Sequence, residues 1–248
     1  MALLVTRPHP DGDATAKALR AKGYDVLLAP MLRFEPVPFP DDPDAHYTGV
    51  IVTSANALRA LDDQPVLARL LKLPLFAVGK HTARKAQDAG FSDVIVADGD
   101  AARLRIKIGD SLRGTDKRAG ALLYLAGADL SRDLVGELRE DGFDVVMQTA
   151  YRMVPLPSLP ADVCDAFAAN RIEAVLHYSR RSARAFIDAT RTSGIEISAL
   201  AIPQCCLSEA VSEVVREAGA NQVMVARKPD EKALLEALDR ALGPAKVN

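Results

Sequence analysis

The feature that most constrains this chain is a pattern that occurs twice. In Gly49-Val-Ile-Val-Thr-Ser-Ala-Asn-Ala-Leu-Arg-Ala-Leu61 a short apolar run without alternation meets a pair of hydroxyl residues and then a helical stretch. Such a run reads as a strand buried on both faces of a sheet. Thr53 and Ser54 follow it as a turn, and a helix starts near Asn56. Ala174-Val-Leu-His-Tyr-Ser-Arg-Arg-Ser-Ala-Arg-Ala-Phe186 repeats the arrangement, with Ser179 in the place of Ser54. A strand that ends in hydroxyls at a helix start presents unpaired N–H groups and the positive end of a helix dipole to whatever lies beyond the sheet. The expectation is a protein that points such strand ends at an anionic ligand.

The rest of the chain extends the repeat. A strand over 2–6, a helix over 14–22, Gly23 and a strand over 25–29 are followed in the second half by a strand over 121–127, a helix over 131–140, Gly142 and a strand over 144–148. Leu122 and Gly142 stand 119 positions after Leu3 and Gly23 (122 − 3 and 142 − 23), Ser179 stands 125 after Ser54 (179 − 54), and Ser208 stands 129 after Gly79 (208 − 79). Three units recurring in one order point to an internal duplication. Between them lie a strand ending at Gly79, a helix over 81–89, a strand over 93–97 and a basic, irregular stretch over 101–120. Strands alternating with helices predict an α/β protein with parallel sheets. Two stretches are rich in proline, 36–43 and 155–160, and proline neither donates to a ladder nor enters a helix interior. Two such linkers mean that the chain leaves its first domain and later returns to it. The division expected is 1–36 with 154–248 as domain 1 and 37–153 as domain 2. These are two similar domains, each a parallel sheet flanked by helices, joined by a two-stranded antiparallel β linker from the flanking extended runs.

Composition narrows the function. A net charge of −2 lacks the basic excess of nucleic-acid or membrane-surface binders, so neither partner is expected. No apolar run reaches the length of a membrane span, and the opening residues are too short a run for a signal peptide. Cys164, Cys205 and Cys206 cannot all pair, which suits free thiols in a reducing cytoplasm. Dinucleotide, phosphate-loop, serine-hydrolase and His-x-x-x-His signatures are absent, so neither cofactor nor metal is expected. What remains is polar residues at strand ends, where α/β sheets bind ligands. They are Arg7, Thr53, Ser54, Asn56, Gly79, Lys80, Thr82, Gly127, Ser179, Arg180 and Ser208. Taken singly, the serines and Thr53 serve as helix caps; as a recurring set they suggest a binding rim. Tyr151 lies on the expected linker, and His177, inside an apolar strand, reads as a core histidine.

Leu4-Val-Thr-Arg7, Val52-Thr-Ser-Ala-Asn56, Ala77-Val-Gly-Lys-His-Thr82, Leu125-Ala-Gly127, Ala150-Tyr-Arg152, Tyr178-Ser-Arg-Arg-Ser182 and Leu207-Ser208 occur in this order along the whole chain. The set resembles the uroporphyrinogen-III synthase family. The resemblance implies two α/β domains on a two-stranded linker and a monomeric enzyme of haem biosynthesis that needs no cofactor. It implies a linear tetrapyrrole substrate, hydroxymethylbilane, which carries eight carboxylates. Loss of its terminal hydroxyl leaves an azafulvene; ring D attacks through its substituted carbon, and the spiro intermediate fragments and recloses with that ring inverted. Tyr151 matches the tyrosine that the family offers as acid for the departing hydroxyl. Two departures stand out: Arg-Arg-Ser after Ser179, and Ser208-Glu209 where many members carry glycine and threonine. The alternative is a non-catalytic two-domain module that binds an anionic tetrapyrrole or another small polyacid.

Overall fold

The computed structural model of the chain describes residues 1–38, 42–62, 64–114 and 120–243. The first third runs β1 (Ala2–Val5), α1 (Asp11–Arg20), β2 (Asp25–Leu28), β3 (Leu32–Pro36), β4 (Tyr47–Val52), α2 (Ala55–Arg59), α3 (Leu67–Leu70), β5 (Leu75–Val78) and α4 (Gly79–Asp88). It continues through β6 (Val94–Ala97), α5 (Ala101–Ser111), β7 (Ala121–Gly127), α6 (Leu134–Glu140), β8 (Val145–Pro155) and α7 (Ala161–Ala168). The last part is β9 (Ile172–His177), α8 (Arg180–Thr192), α9 (Glu196–Ala201), β10 (Gln204–Cys206), α10 (Glu209–Glu217), β11 (Val223–Val225) and α11 (Glu231–Leu242). Two compact units result: unit 1 is Met1–Phe34 with Val154–Asn248, and unit 2 is Glu35–Met153.

Unit 1 holds a five-stranded parallel sheet in the order β11-β10-β9-β1-β2. The other sheet has the order β3-β8-β7-β4-β5-β6, parallel from β8 to β6. Where β3 meets β8, Val37 N–H donates to Ala150 O (2.8 Å) and Leu156 N–H to Met31 O (3.0 Å). One partner's number falls as the other's rises, so these two strands run in opposite directions.

The duplication read from spacing extends to the hydrogen-bond register. Leu3 pairs with Ala174 and Val26, while Leu122, 119 positions on, pairs with Gly49 and Val145. Val175 pairs with Gln204 as Val50 pairs with Leu75, offsets of 125 (175 − 50) and 129 (204 − 75). Even an irregularity recurs: the register slips by one residue between Ala2 and Leu3 against β9, and between Ala121 and Leu122 against β4. Arg20 donates to Val26 O (2.9 Å) and Arg139 to Val145 O (2.8 Å), closing equivalent helix–strand turns. Asp100 and Asp230 each cap the helix after the last strand of their sheet, the former through the N–H groups of Ala102 and Arg103 and the latter through Ala233 N–H.

The cores are equivalent as well. In unit 1, Leu3, Leu19, Val26, Leu176, Leu234 and Leu238 join α1 and α11 to one face of the sheet. In unit 2, Ile51, Phe76, Leu104, Ile108, Leu122, Leu138 and Phe143 do so for α5 and α6.

Local boundaries needed correction. Residues 101–111, expected to be irregular, form helix α5; Arg103-Leu-Arg-Ile-Lys-Ile108 alternates like a strand, yet Leu104 and Ile108 are fully buried and Ile106 is 65% exposed. The partner that chooses between these periods is the tertiary core, which spacing alone does not reveal. Helix α1 starts at Asp11 rather than residue 14, α4 at Gly79 rather than 81, and α6 at Leu134, after its Asp133 cap, rather than 131. The strand expected over 144–148 continues to Pro155. Pro40 and residues 115–119 lie outside the described residues.

Candidate functional site

In unit 2 the carboxyl ends of parallel strands gather the residues that sequence singled out. Ser54 is the cap of α2, its hydroxyl accepting from Asn56 N–H at 3.3 Å. Asn56 in turn directs its amide nitrogen at Met153 sulfur, 3.9 Å away. Next along the edge, Gly79 opens α4 with φ +75°, a left-handed conformation that strains any L side chain. Its N-cap is Val78, which supplies no side-chain cap to the first-turn amides. Lys80 is exposed beside them, whereas the Thr82 side chain is buried.

A group of aromatic and hydroxyl residues completes this edge. Thr53 Oγ1 lies 3.1 Å from the hydroxyl of Tyr124, which is almost wholly buried on β7. Burial raises the Tyr124 pKa; the bond to Thr53 works against that rise, and the neighbouring Tyr151 adds to it. Gly127 pairs with Tyr151, and Ala128 N–H donates to Tyr151 O at 2.9 Å. The phenol of Tyr151 lies directly against the Gly127 backbone. Sequence reasoning passed over Tyr124; the available signal was a phenol inside an otherwise apolar run, since a buried hydroxyl needs a partner.

The carboxyl edge of unit 1 is built differently. Arg7 follows β1, but its charge is already engaged: Nη2 donates to Asp11 Oδ2 (2.9 Å), Nη1 donates to Thr15 Oγ1 (3.3 Å) and lies 4.0 Å from Glu231. Its guanidinium carbon sits 4.8 Å from the centre of the Tyr178 ring. Thr15 and Tyr178 both donate to Glu231 Oε1, at 2.6 and 3.4 Å. Burial first, and then the Glu231 charge, push the Tyr178 phenol far up, so it stays protonated and donating. Ser179 caps α8 by accepting from Ser182 N–H (3.1 Å), and Arg180 is exposed on the first turn. Ser208 precedes α10 without making a side-chain cap, and Glu209 beside it is ion-paired to Arg216.

Two of the four serine and threonine residues therefore cap helices through their side chains, while Thr53 binds Tyr124 and Ser208 does not cap. Equivalent helices behave alike: α2 and α8 are capped by serine, while α4 and α10 begin without a side-chain cap. The unit 1 hollow lined by Arg191, Gly194, Ile195, Glu196, Ile197 and Ser198 lies at the far end of the 13-residue α8 from Ser179, away from this edge. Among the described residues, no three His, Cys, Asp or Glu side chains are placed to hold a metal ion. Nor is any helix among them long and apolar enough to cross a membrane.

Comparison with known proteins agrees with this architecture. No curated protein matches the chain significantly. Among solved structures, uroporphyrinogen-III synthetase from Helicobacter pylori is 20% identical, with 97% of this chain and 99% of that chain covered and a TM-score of 0.64. A mutant uroporphyrinogen III synthase from Thermus thermophilus is 19% identical over 98% of this chain and 99% of its own, with a TM-score of 0.55. At such identities the likeness is one of fold. The family model described as uroporphyrinogen-III synthase HemD matches residues 13–236, nearly the whole chain. The protein thus belongs to the uroporphyrinogen-III synthase family, the cyclising lyases of haem biosynthesis.

Proposed function

We propose that the chain closes hydroxymethylbilane to uroporphyrinogen III, with ring D inverted, using the carboxyl edges of its sheets. One observation carries the reading beyond family membership: a single edge of unit 2 bears both the uncapped start of α4 and the phenol of Tyr151. The first offers amide donors and a positive dipole end to a substrate carboxylate. The second offers a proton donor for the departing hydroxyl. Each dipole contact contributes roughly 0.3–1 kcal/mol, so a polyacid is held by several together.

Substrate contacts are assigned to Thr53, Ser54, Asn56, Gly79 and Lys80 in unit 2 and to Ser179, Arg180 and Ser208 in unit 1. Arg7 and Thr82 act from behind this set, the first because Asp11 and Glu231 already hold its charge, the second because its side chain is buried. Binding folds the substrate so that the substituted carbon of ring D faces the azafulvene, and this proximity supplies most of the acceleration. Tyr151 donates a hydrogen bond to the leaving oxygen; a phenol is a hydrogen-bond donor before it is an acid, so it assists rather than carries that step. The protein works as a monomer in the cytoplasm.

Turnover tests the proposal. Freshly prepared hydroxymethylbilane is expected to disappear faster with the protein than by spontaneous closure, and Tyr151→Phe is expected to lower kcat by roughly 10–100-fold. Tetrapyrrole binding without acceleration would instead establish the non-catalytic module.

A further inference from the structure

We infer that Gly127 is a positioning residue: its missing side chain, together with the surplus residue Ala150, sets where the Tyr151 hydroxyl stands. The inference rests on the role proposed above for Tyr151.

Side chains along a strand alternate between the two faces of a sheet, so the face that a residue presents depends on the count from the last regular pair. Val145 to Thr149 pair one for one with Leu122 to Ala126, but Gly127 then pairs with Tyr151. Ala150 is therefore an extra residue on β8, a bulge of the kind that re-aims the next side chain. Both flanks of the bulge are tied down, with Val37 N–H donating to Ala150 O (2.8 Å) and Ala128 N–H donating to Tyr151 O (2.9 Å). The tyrosine is delivered to the one position on β7 that lacks a side chain. A Cβ at residue 127 would stand 2.8 Å from Cζ, 2.9 Å from the hydroxyl oxygen and 3.2 Å from Cε2 of Tyr151. Carbon atoms in contact keep about 3.5–4 Å, so a methyl group and the phenol cannot share this space. Gly127 is not among the glycines with positive φ, so its backbone does not demand glycine; the ring does. The sequence reading placed Gly127 at the substrate. The geometry makes it act through Tyr151.

The test is Gly127→Ala in the full chain, alone and with Tyr151→Phe. The atoms met are the tip of a side chain that can swing aside, so the variant folds with a Tm close to that of the parent. Its kcat is expected to fall roughly 10–100-fold with KM little changed, because a small misplacement of a donor is enough for such a loss. In the Tyr151→Phe background the same substitution is expected to cost nothing further. A double variant slower than Tyr151→Phe by the full single-variant factor would overturn the inference. Fluorine NMR of protein labelled with 3-fluorotyrosine reads the displacement without turnover, and each of the five tyrosines is assignable by its Phe variant. The Tyr151 resonance is expected to move in Gly127→Ala while those of Tyr24 and Tyr178 stay; an unmoved Tyr151 resonance overturns the inference. If the parent itself fails to consume hydroxymethylbilane, the activity proposal falls and the NMR result alone decides this one.

Discussion

His177 shows how much chemistry one buried residue contributes without touching the reaction. It ends β9 fully buried, with Nε2 2.8 Å from Gln204 Oε1. Gln204 spends its amide nitrogen on the carbonyls of Ala199 (2.8 Å) and Ile202 (2.9 Å), so its oxygen faces the ring and can only accept. Nε2 therefore carries the proton, and Nδ1 is left buried with no partner. A proton added there would charge a site without an acceptor; burial accordingly lowers the pKa to about 4, with the Gln204 bond opposing only part of the effect. In the unfolded chain the group titrates near 6.5. Between pH 6.5 and 4 the unfolded state binds this proton and the native state does not, so stability falls with acidification across that window and is insensitive to this group above it. About 2 kcal/mol is expected to go between pH 7 and pH 5, read from urea unfolding at the two values. The loss is expected to shrink in His177→Gln; an unchanged pH slope in that variant would assign the acid sensitivity elsewhere. That His177 is a core residue was legible from its apolar neighbours. The Gln204 partner was not, because 27 residues separate the two. Tyr124 was hidden for a similar reason, its bond to Thr53 spanning 71 residues.

At the scale of elements, what could be read depended on whether the signal was local. Strands buried on both faces announced themselves as apolar runs, and Gly23 and Gly142 marked the ends of equivalent helices, at φ +90° and +87°. Helix α5 was missed because three basic residues interleave with its apolar ones and mimic the two-residue period of a strand. The bulge at Ala150 was equally invisible, being a property of the pairing between β7 and β8 rather than of either strand. The structure makes α5 a core helix through Leu104 and Ile108, both fully buried. Leu104→Ala is expected to destabilise the protein by about 2–5 kcal/mol, the usual cost of a leucine-sized loss from a packed core. Ile106→Ala, at a site 65% exposed, is expected to cost far less. Equal losses at the two positions in thermal or urea unfolding would return this segment to the irregular state that its sequence suggests.

For the whole molecule, the duplicated sheet is the organising fact. Offsets read from a few residues in the sequence reproduce every strand pair compared between the two parallel sheets, including a shared slip of register. Duplication conserves backbone geometry while the edges diverge. Thr53 and Tyr178 occupy equivalent positions, yet one bonds to Tyr124 and the other stands beside Arg7 and Glu231. Gly79 and Ser208 are equivalent too, and only the former has positive φ. The fold was thus largely legible, whereas the partners of each edge residue come from elements distant in sequence. Hydroxymethylbilane closes unaided to the uninverted ring, so the central claim is that this protein imposes inversion on a reaction that otherwise takes the simpler course. The direct measurement is the isomer composition after incubating fresh hydroxymethylbilane with increasing protein, oxidising the products and separating the porphyrins. Type III is expected to rise with protein concentration until it displaces type I; type I alone, formed at the rate of the blank, would contradict the account.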